Sequence, residues 1–204
     1  MTNPYADITV VEFGGGAAVA YAGKLFADMG ATVIKLEPPG GDSLRHHVVY
    51  DVKTGRSAES GWALYLLAGK RSVVADLDTE SGRETVKKAI ASCRVLLHSD
   101  PKPELARFGL TPEAIAAAHP QLVVAAITPF GLAEEWRTTP ADDFALQALG
   151  GISLGIGEPG REPLKLPGEQ SAYQAGLAAA VAAAGQLFCG TGALLDVAAA
   201  DVWA

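Results

Sequence analysis

Apolar, mostly β-branched residues run from Ile8 to Val11, stop at Glu12-Phe13 and give way to three glycines, Gly14 to Gly16. Val19, Leu25, Phe26 and Met29 then recur with the period of one helix face. Gly30 ends that pattern, and Ala31 to Leu36 forms a second apolar run with strand composition. Strand, glycine turn, helix and strand make a βαβ unit, whose right-handed crossover sets the two strands parallel. Ligands of such folds sit at the carboxyl ends of the strands, which puts Gly14 to Ala18 and Glu37 to Arg45 on one rim.

The same alternation continues. Residues 43–57 are polar, with His46-His47 and the basic pair Lys53 and Arg56, and read as an ordered loop. A short helix is predicted over Ser60 to Leu67, a strand over Val73 to Leu77, and a helix capped by Thr79 with a glutamate in its first turn. Arg94 to His98 reads as a strand, Thr111-Pro112 as a helix start, and Leu122 as the start of a further strand. Asp142 to Leu149 reads as a helix closed by Gly150-Gly151, and residues 153–167, rich in Gly and Pro, as a loop over the rim. The Ala-rich stretch Tyr173 to Leu187 is predicted as a closely packed interior helix with an N-cap at Gln170-Ser171, and Leu194 to Val197 as the last strand. Together these predict one α/β domain over residues 1–204, Rossmann-like. It has a mostly parallel sheet of strands at Ile8, Thr32, Val73, Val95, Leu122 and Leu194, and helices on both faces.

Composition narrows the partners. A net charge of −7 over 204 residues argues against nucleic acid or an anionic membrane. The opening MTNPYADITVVEF lacks a basic segment followed by a long apolar one, and Ala172 to Phe188 is short for a bilayer span and broken by Gly and Gln. Cys93 and Cys189 are too few for a disulfide framework, so a cytoplasmic protein with reduced thiols is expected. No Cys or carboxylate cluster accompanies His46 and His47, so no metal site is expected, and His98 and His119 read as structural. For the rim, Gly14 and Gly16 followed by Glu37 about twenty residues later suggest a nicotinamide dinucleotide site, but Val19 stands where close helix packing wants Gly or Ala.

A longer motif gives a second reading. AGKLFADMGATVIKLEPPGGDSLR resembles the N-terminal signature of class III CoA-transferases, the family that includes formyl-CoA transferase, carnitine CoA-transferase and α-methylacyl-CoA racemase. Phe26 to Arg45 meets the pattern LADxGAxVIKxExPGGDxxR almost position for position. GKRSVVADL, LARFGLTPEAIAAAHPQLVVAAITPFG and PADDFALQALGG follow further family segments. The resemblance spans nearly this whole chain but only the N-terminal half of a family member. The family's small domain and the C-terminal return to its large domain are absent here, as expected of either a fragment or a naturally short subunit.

What the resemblance implies for the site is uneven. Gly15, Gly16, Ala17 and Ala18 match the loop that meets CoA, and Lys70, Arg71 and Arg107 match cationic positions suited to its phosphates. The family's E-N-F-R-P-G is replaced by His98-Ser99-Asp100-Pro101-Lys102-Pro103, which loses Asn, Phe and Arg. The family chemistry is covalent: an Asp attacks an acyl-CoA thioester and hands CoA to a second carboxylate. That Asp lies four residues before the glycine matched by Gly176, where this chain has Ala172; Glu169, one turn earlier, is the remaining candidate nucleophile. Asp143 matches a family Asp that orients the neighbouring loop or starts its helix. The resemblance therefore implies a CoA-transferase-like chain that uses acyl-CoA and a carboxylic acid, without a metal. It also implies a homo-oligomer or a heteromer with a second CoA-transferase-like chain carrying the Asp. A non-catalytic CoA-binding or stabilising subunit is the alternative.

Overall fold

The computed structural model describes residues 3–47, 50–51, 56–57, 60–99 and 102–204. In chain order the elements are β1 (Thr9–Phe13), α1 (Ala17–Asp28), β2 (Thr32–Glu37), β3 (Tyr50–Asp51), β4 (Arg56–Ser57), α2 (Gly61–Leu66), β5 (Arg71–Val74) and α3 (Glu80–Ala91). They continue with β6 (Val95–His98), α4 (Pro112–Ala118), β7 (Val123–Thr128), α5 (Asp143–Leu149), α6 (Ile152–Gly155), α7 (Gln170–Cys189), β8 (Ala193–Ala198) and α8 (Ala199–Trp203). Six strands form one sheet in the order β5-β2-β1-β6-β7-β8, every pairing parallel. The six expected strands are all present, and β3 and β4 add a small antiparallel pair.

Strands β6 and β7 are buried along their whole length, as parallel strands covered on both faces must be. On one face α1 and α7 cover Val10, Val33, Val95, Leu97, Val123, Ala125 and Ile127. On the other, Val86 and Ile90 of α3 and Ile115 of α4 cover Val11, Leu96 and Val124. Each fully buried Val, Leu or Phe contributes about 1.5–3 kcal/mol, so these two clusters hold the sheet. Helix α7 is the one described helix long and apolar enough to cross a membrane by length and composition. Its small-residue face, Ala175, Gly176, Ala179, Ala180 and Ala183, is buried.

Three boundaries differ from the sequence expectation. Strand β5 lies over Arg71–Val74 rather than Val73 to Leu77, because the chain turns at Asp76. There the Asp76 carboxylate accepts from the Asp78 amide (3.0 Å) and its carbonyl from the Thr79 hydroxyl (2.9 Å). Helix α7 starts at Gln170 with Glu169 as N-cap, so Ser171 is inside the helix rather than part of its cap. The cause is Asp143, whose carboxylate accepts from the Ser171 amide at 2.6 Å and holds the first turn in place. The loop expected over residues 153–167 begins instead as helix α6. In the polar segment after β2, Asp42 caps a 3-10 turn, Ser43–His46, by accepting from the Leu44 amide; Lys53 lies outside the described residues.

Candidate functional site

Strand β1 has β2 on one side and β6 on the other, so successive crossovers leave it in opposite directions. The crevice outside the carboxyl ends of β1 and β6 is the binding position of an open parallel sheet. Gly14 and Gly16 line it with φ of 99° and 94°, a conformation that side-chain-bearing residues avoid. The Ser99 hydroxyl, just past β6, donates to the Gly15 carbonyl (2.8 Å) and fixes the loop from the β6 side.

Two clefts meet at Gly15. One, of about 610 Å³, runs between Gly14-Gly15 and the Glu37–His46 segment, with Asp76 and Asp78 across from it and Lys102 at its end. The other, of about 330 Å³, is bounded by Gly15 to Ala18 on one side and Glu169, Ser171, Ala172 and Ala175 of the α7 start on the other, with Asp142 and Asp143 at its edge. The structure thus brings the rim residues Gly15, Gly16, Ala17 and Ala18 together with Ala172 and Glu169.

It separates them from the expected cations. Lys70 does not stand on the rim: its side chain is buried, and its Nζ donates to Glu12 Oε1 (2.5 Å) and to the Ala20 carbonyl (2.6 Å). Burial pushes its pKa down, with Glu12 opposing the shift. Arg71 is exposed on the edge strand β5, level with Ile34. Arg107 is exposed with its guanidinium 4.5 Å from the Phe108 ring. None of the three lines either cleft. The cations near Gly15 are Lys102 and Arg137, which line a third hollow with Ser99, Thr138 and Thr139; Arg137 is bidentate to Glu113 and donates to the Leu132 carbonyl (2.9 Å). Arg137 carried no motif, and its position beyond β7 is set by tertiary folding alone. Asp100 and Pro101 lie outside the described residues.

The signature segment is tied down internally. Lys35, on β2, pairs with Glu12 Oε2 (3.2 Å) and Asp42 Oδ2 (2.8 Å), and all three are buried. Burial lowers the Lys35 pKa, but attraction to Glu12 and Asp42 outweighs it and the net direction is up. Arg45 clamps Glu37 through Nε (2.8 Å) and Nη2 (2.6 Å), and the Asp42 amide adds a third donor at 2.8 Å. The Arg45 hydrogen bond, against the opposing effect of burial, holds the Glu37 carboxyl at about 2. A carboxylate so engaged is not offered to a ribose hydroxyl. The folded pKa lies below the unfolded value of about 4.3, so this stabilisation is present above pH ~4.3 and is lost as pH falls towards 2. In a thermal-melt series between pH 5 and 2, Arg45→Ala should lie below wild type at pH 5 and converge on it at pH 2; parallel curves would reject this clamp.

Asp143 is buried and accepts from Ser171 N, Gln147 Nε2 (2.5 Å) and Lys165 Nζ (2.8 Å). Burial works to raise its pKa, and these donors reverse it. It therefore orders the α7 start, the orienting role the motif suggested. The Glu169 carboxyl moves the other way, raised by burial and then by the Asp143 charge. His98 is buried, with Nε2 2.9 Å from the Leu110 carbonyl and its ring against Phe13. His46 meets the Gly40 carbonyl (3.0 Å) and His47 lies against Trp62. Burial pushes the Cys93 thiol up to about 12, so it is an inert core residue.

Comparison with known proteins agrees on one family. The model of CoA-transferase family III matches residues 5–204. A succinate–glutarate CoA-transferase from Agrobacterium fabrum is 33% identical over 165 residues, 79% of this chain and 41% of that protein. Subunit BbsE of the succinyl-CoA:(R)-benzylsuccinate CoA-transferase of Thauera aromatica is 33% identical over 202 residues, 97% of this chain and 49% of the relative. The crystal structure of a CAIB/BAIF family protein from Brucella suis superposes with a TM-score of 0.89 at 31% identity, covering 100% of this chain and 55% of that one. The chain spans about half the length of the relatives it matches.

Proposed function

The chain belongs to CoA-transferase family III, and from that premise we propose that it is the CoA-binding half of an enzyme that moves CoA between an acyl-CoA and a carboxylic acid. The observation that carries this reading is the shared cavity: Gly15 to Ala18, the loop expected against CoA, face Ala172, the position expected of the nucleophile, across one cleft. Helix α7 begins within that cleft, where free amides and the helix dipole stabilise negative charge. No side chain at 172 can form an anhydride, so the acyl transfer itself is assigned to an Asp supplied by a second CoA-transferase-like chain, or to Glu169 within this one. Leu177, Val181 and Phe188 stand exposed along α7, which suits a chain that works within a larger assembly. A subunit that binds CoA and stabilises an active partner fits the same face. Lys102, which lines the larger cleft, is then the cation assigned to the CoA phosphates, with Lys70 assigned to the fold.

The decisive measurement is calorimetry with CoA and with NAD. Saturable CoA binding and no NAD binding are expected, and the reverse would overturn the reading. Ala172→Asp should fold as well as wild type, since an acidic residue in the first turn of a helix is favourable by about 0.3–1 kcal/mol. After incubation with an acyl-CoA, mass spectrometry should find a CoA or acyl adduct on residue 172 of the variant and none on wild type. An adduct on Glu169 in both proteins would move the nucleophile to that residue.

A further inference from the structure

We propose that the larger cleft does not recognise the 3′-phosphate of CoA, and that the chain binds 3′-dephospho-CoA at least as tightly as CoA. This rests on the CoA-binding reading and states which part of the ligand the site selects. Gly15 lines both clefts, so a ligand whose thioester stands beside Ala172 passes Gly15 towards the larger one, where about 610 Å³ gives room for a nucleoside. The nucleotide end of CoA carries a 3′-phosphate, a monoester with about two negative charges at neutral pH.

The walls of that cleft are acidic. Glu37, Asp42, Asp76 and Asp78 line it, against Lys102 and His46 among the described residues. Arg45 meets Glu37 and Lys35 meets Asp42. Among the described residues no lysine or arginine pairs with Asp76 or Asp78: Asp76 accepts from the Asp78 amide (3.0 Å), a neutral donor, and the Asp78 side chain is exposed. The nearby arginines are held elsewhere. Arg83 donates to the Leu77 carbonyl (2.7 Å) with its guanidinium 5.0 Å from the Phe108 ring, Arg107 stands against the same ring, and neither lines the cleft. Lys102 also lines the third hollow beside Gly15, where it suits the diphosphate, and Arg137 there is already bidentate to Glu113. A 3′-phosphate in the larger cleft therefore faces the Asp76 and Asp78 wall. Solvent screens the repulsion, so the group is tolerated without adding affinity. Selection falls on the pantetheine and the diphosphate.

The test is calorimetry of the chain with CoA and with 3′-dephospho-CoA at low ionic strength, where charge effects are largest. Dephospho-CoA should bind as tightly as CoA or more so. CoA binding tighter by about three-fold or more would overturn the inference and leave the CoA reading intact. Failure of both to bind would remove the CoA reading and this inference with it. Asp78→Lys should bind CoA roughly five-fold more tightly than wild type, the size of one unit-charge contact in water, and leave dephospho-CoA unchanged. Asp78→Asn should move CoA the same way by about two-fold. The Asp78 side chain is exposed and its amide is kept in both variants, so both should melt at the wild-type temperature. Equal gains for the two nucleotides, or no gain for CoA in either variant, would overturn the inference.

Discussion

Glu12→Ala is expected to lower the free energy of unfolding by about 3–5 kcal/mol, the cost of removing one partner from a buried ion pair. Glu12 has no solvent exposure, and it is the shared acceptor of two ammonium groups whose side chains are 1% and 2% exposed, Lys35 and Lys70. Without it Lys35 keeps Asp42, but Lys70 keeps only the Ala20 carbonyl. Burial already lowers the Lys70 pKa, so in the variant Lys70 sheds its proton, which limits the loss. The unfolded chain then binds more protons than the folded one, so the variant's deficit should shrink as pH rises from 7 towards 10. A second variant separates this from loss of packing. Lys70→Met added to Glu12→Ala should recover part of the stability, because the stranded charge is gone. Urea unfolding midpoints at pH 7 and 10 read both effects. A Glu12→Ala change below about 1 kcal/mol would mean the four charges contribute nothing net.

That network explains where the sequence was legible and where it was not. Parallel strands are buried on both faces, so Val95 to His98 and Val123 to Thr128 show as unbroken apolar runs and were readable directly. The signature PGGDSLR was readable as a motif, but not its physics: Glu37 is held by Arg45 and the Asp42 amide, and Asp42 by Lys35, so the segment ties itself down. Lys70 was read as a cation for the CoA phosphates because its partner, Glu12, lies 58 residues away. A signal was present, since Glu12 and Lys35 interrupt two apolar strands at paired positions, and buried charges come in compensated sets. The rim was legible at Gly14 to Ala18 and, through the family register, at Ala172. Ser99 and Ser171 were not, because one follows a strand and the other was assigned to a cap. The register of α7 depends on Asp143, 28 residues earlier, and no local propensity reports that contact.

Gly176→Val should destabilise the chain by about 3 kcal/mol, at the upper end for overpacking, which at this chain length is a fall of roughly 6–12 °C in Tm. A Cβ at Gly176 would lie 2.5 Å from the Ala18 carbonyl oxygen and 3.3 Å from the Ala22 amide, both backbone atoms of α1 that cannot move aside alone. The helices must therefore separate. They carry opposite walls of the α7 cavity, Ala17 and Ala18 on one and Ala172 and Ala175 on the other, so the same substitution should weaken CoA binding. Gly185→Val is the control on the same helix, since nothing lies within 4 Å of its Cβ position, and it should leave Tm within a few degrees. Equal effects at the two positions would show that helix propensity, and not the contact with α1, governs α7. A Gly176→Val chain that melts early yet binds CoA at wild-type strength when cold would show that the cavity does not depend on the α1–α7 spacing.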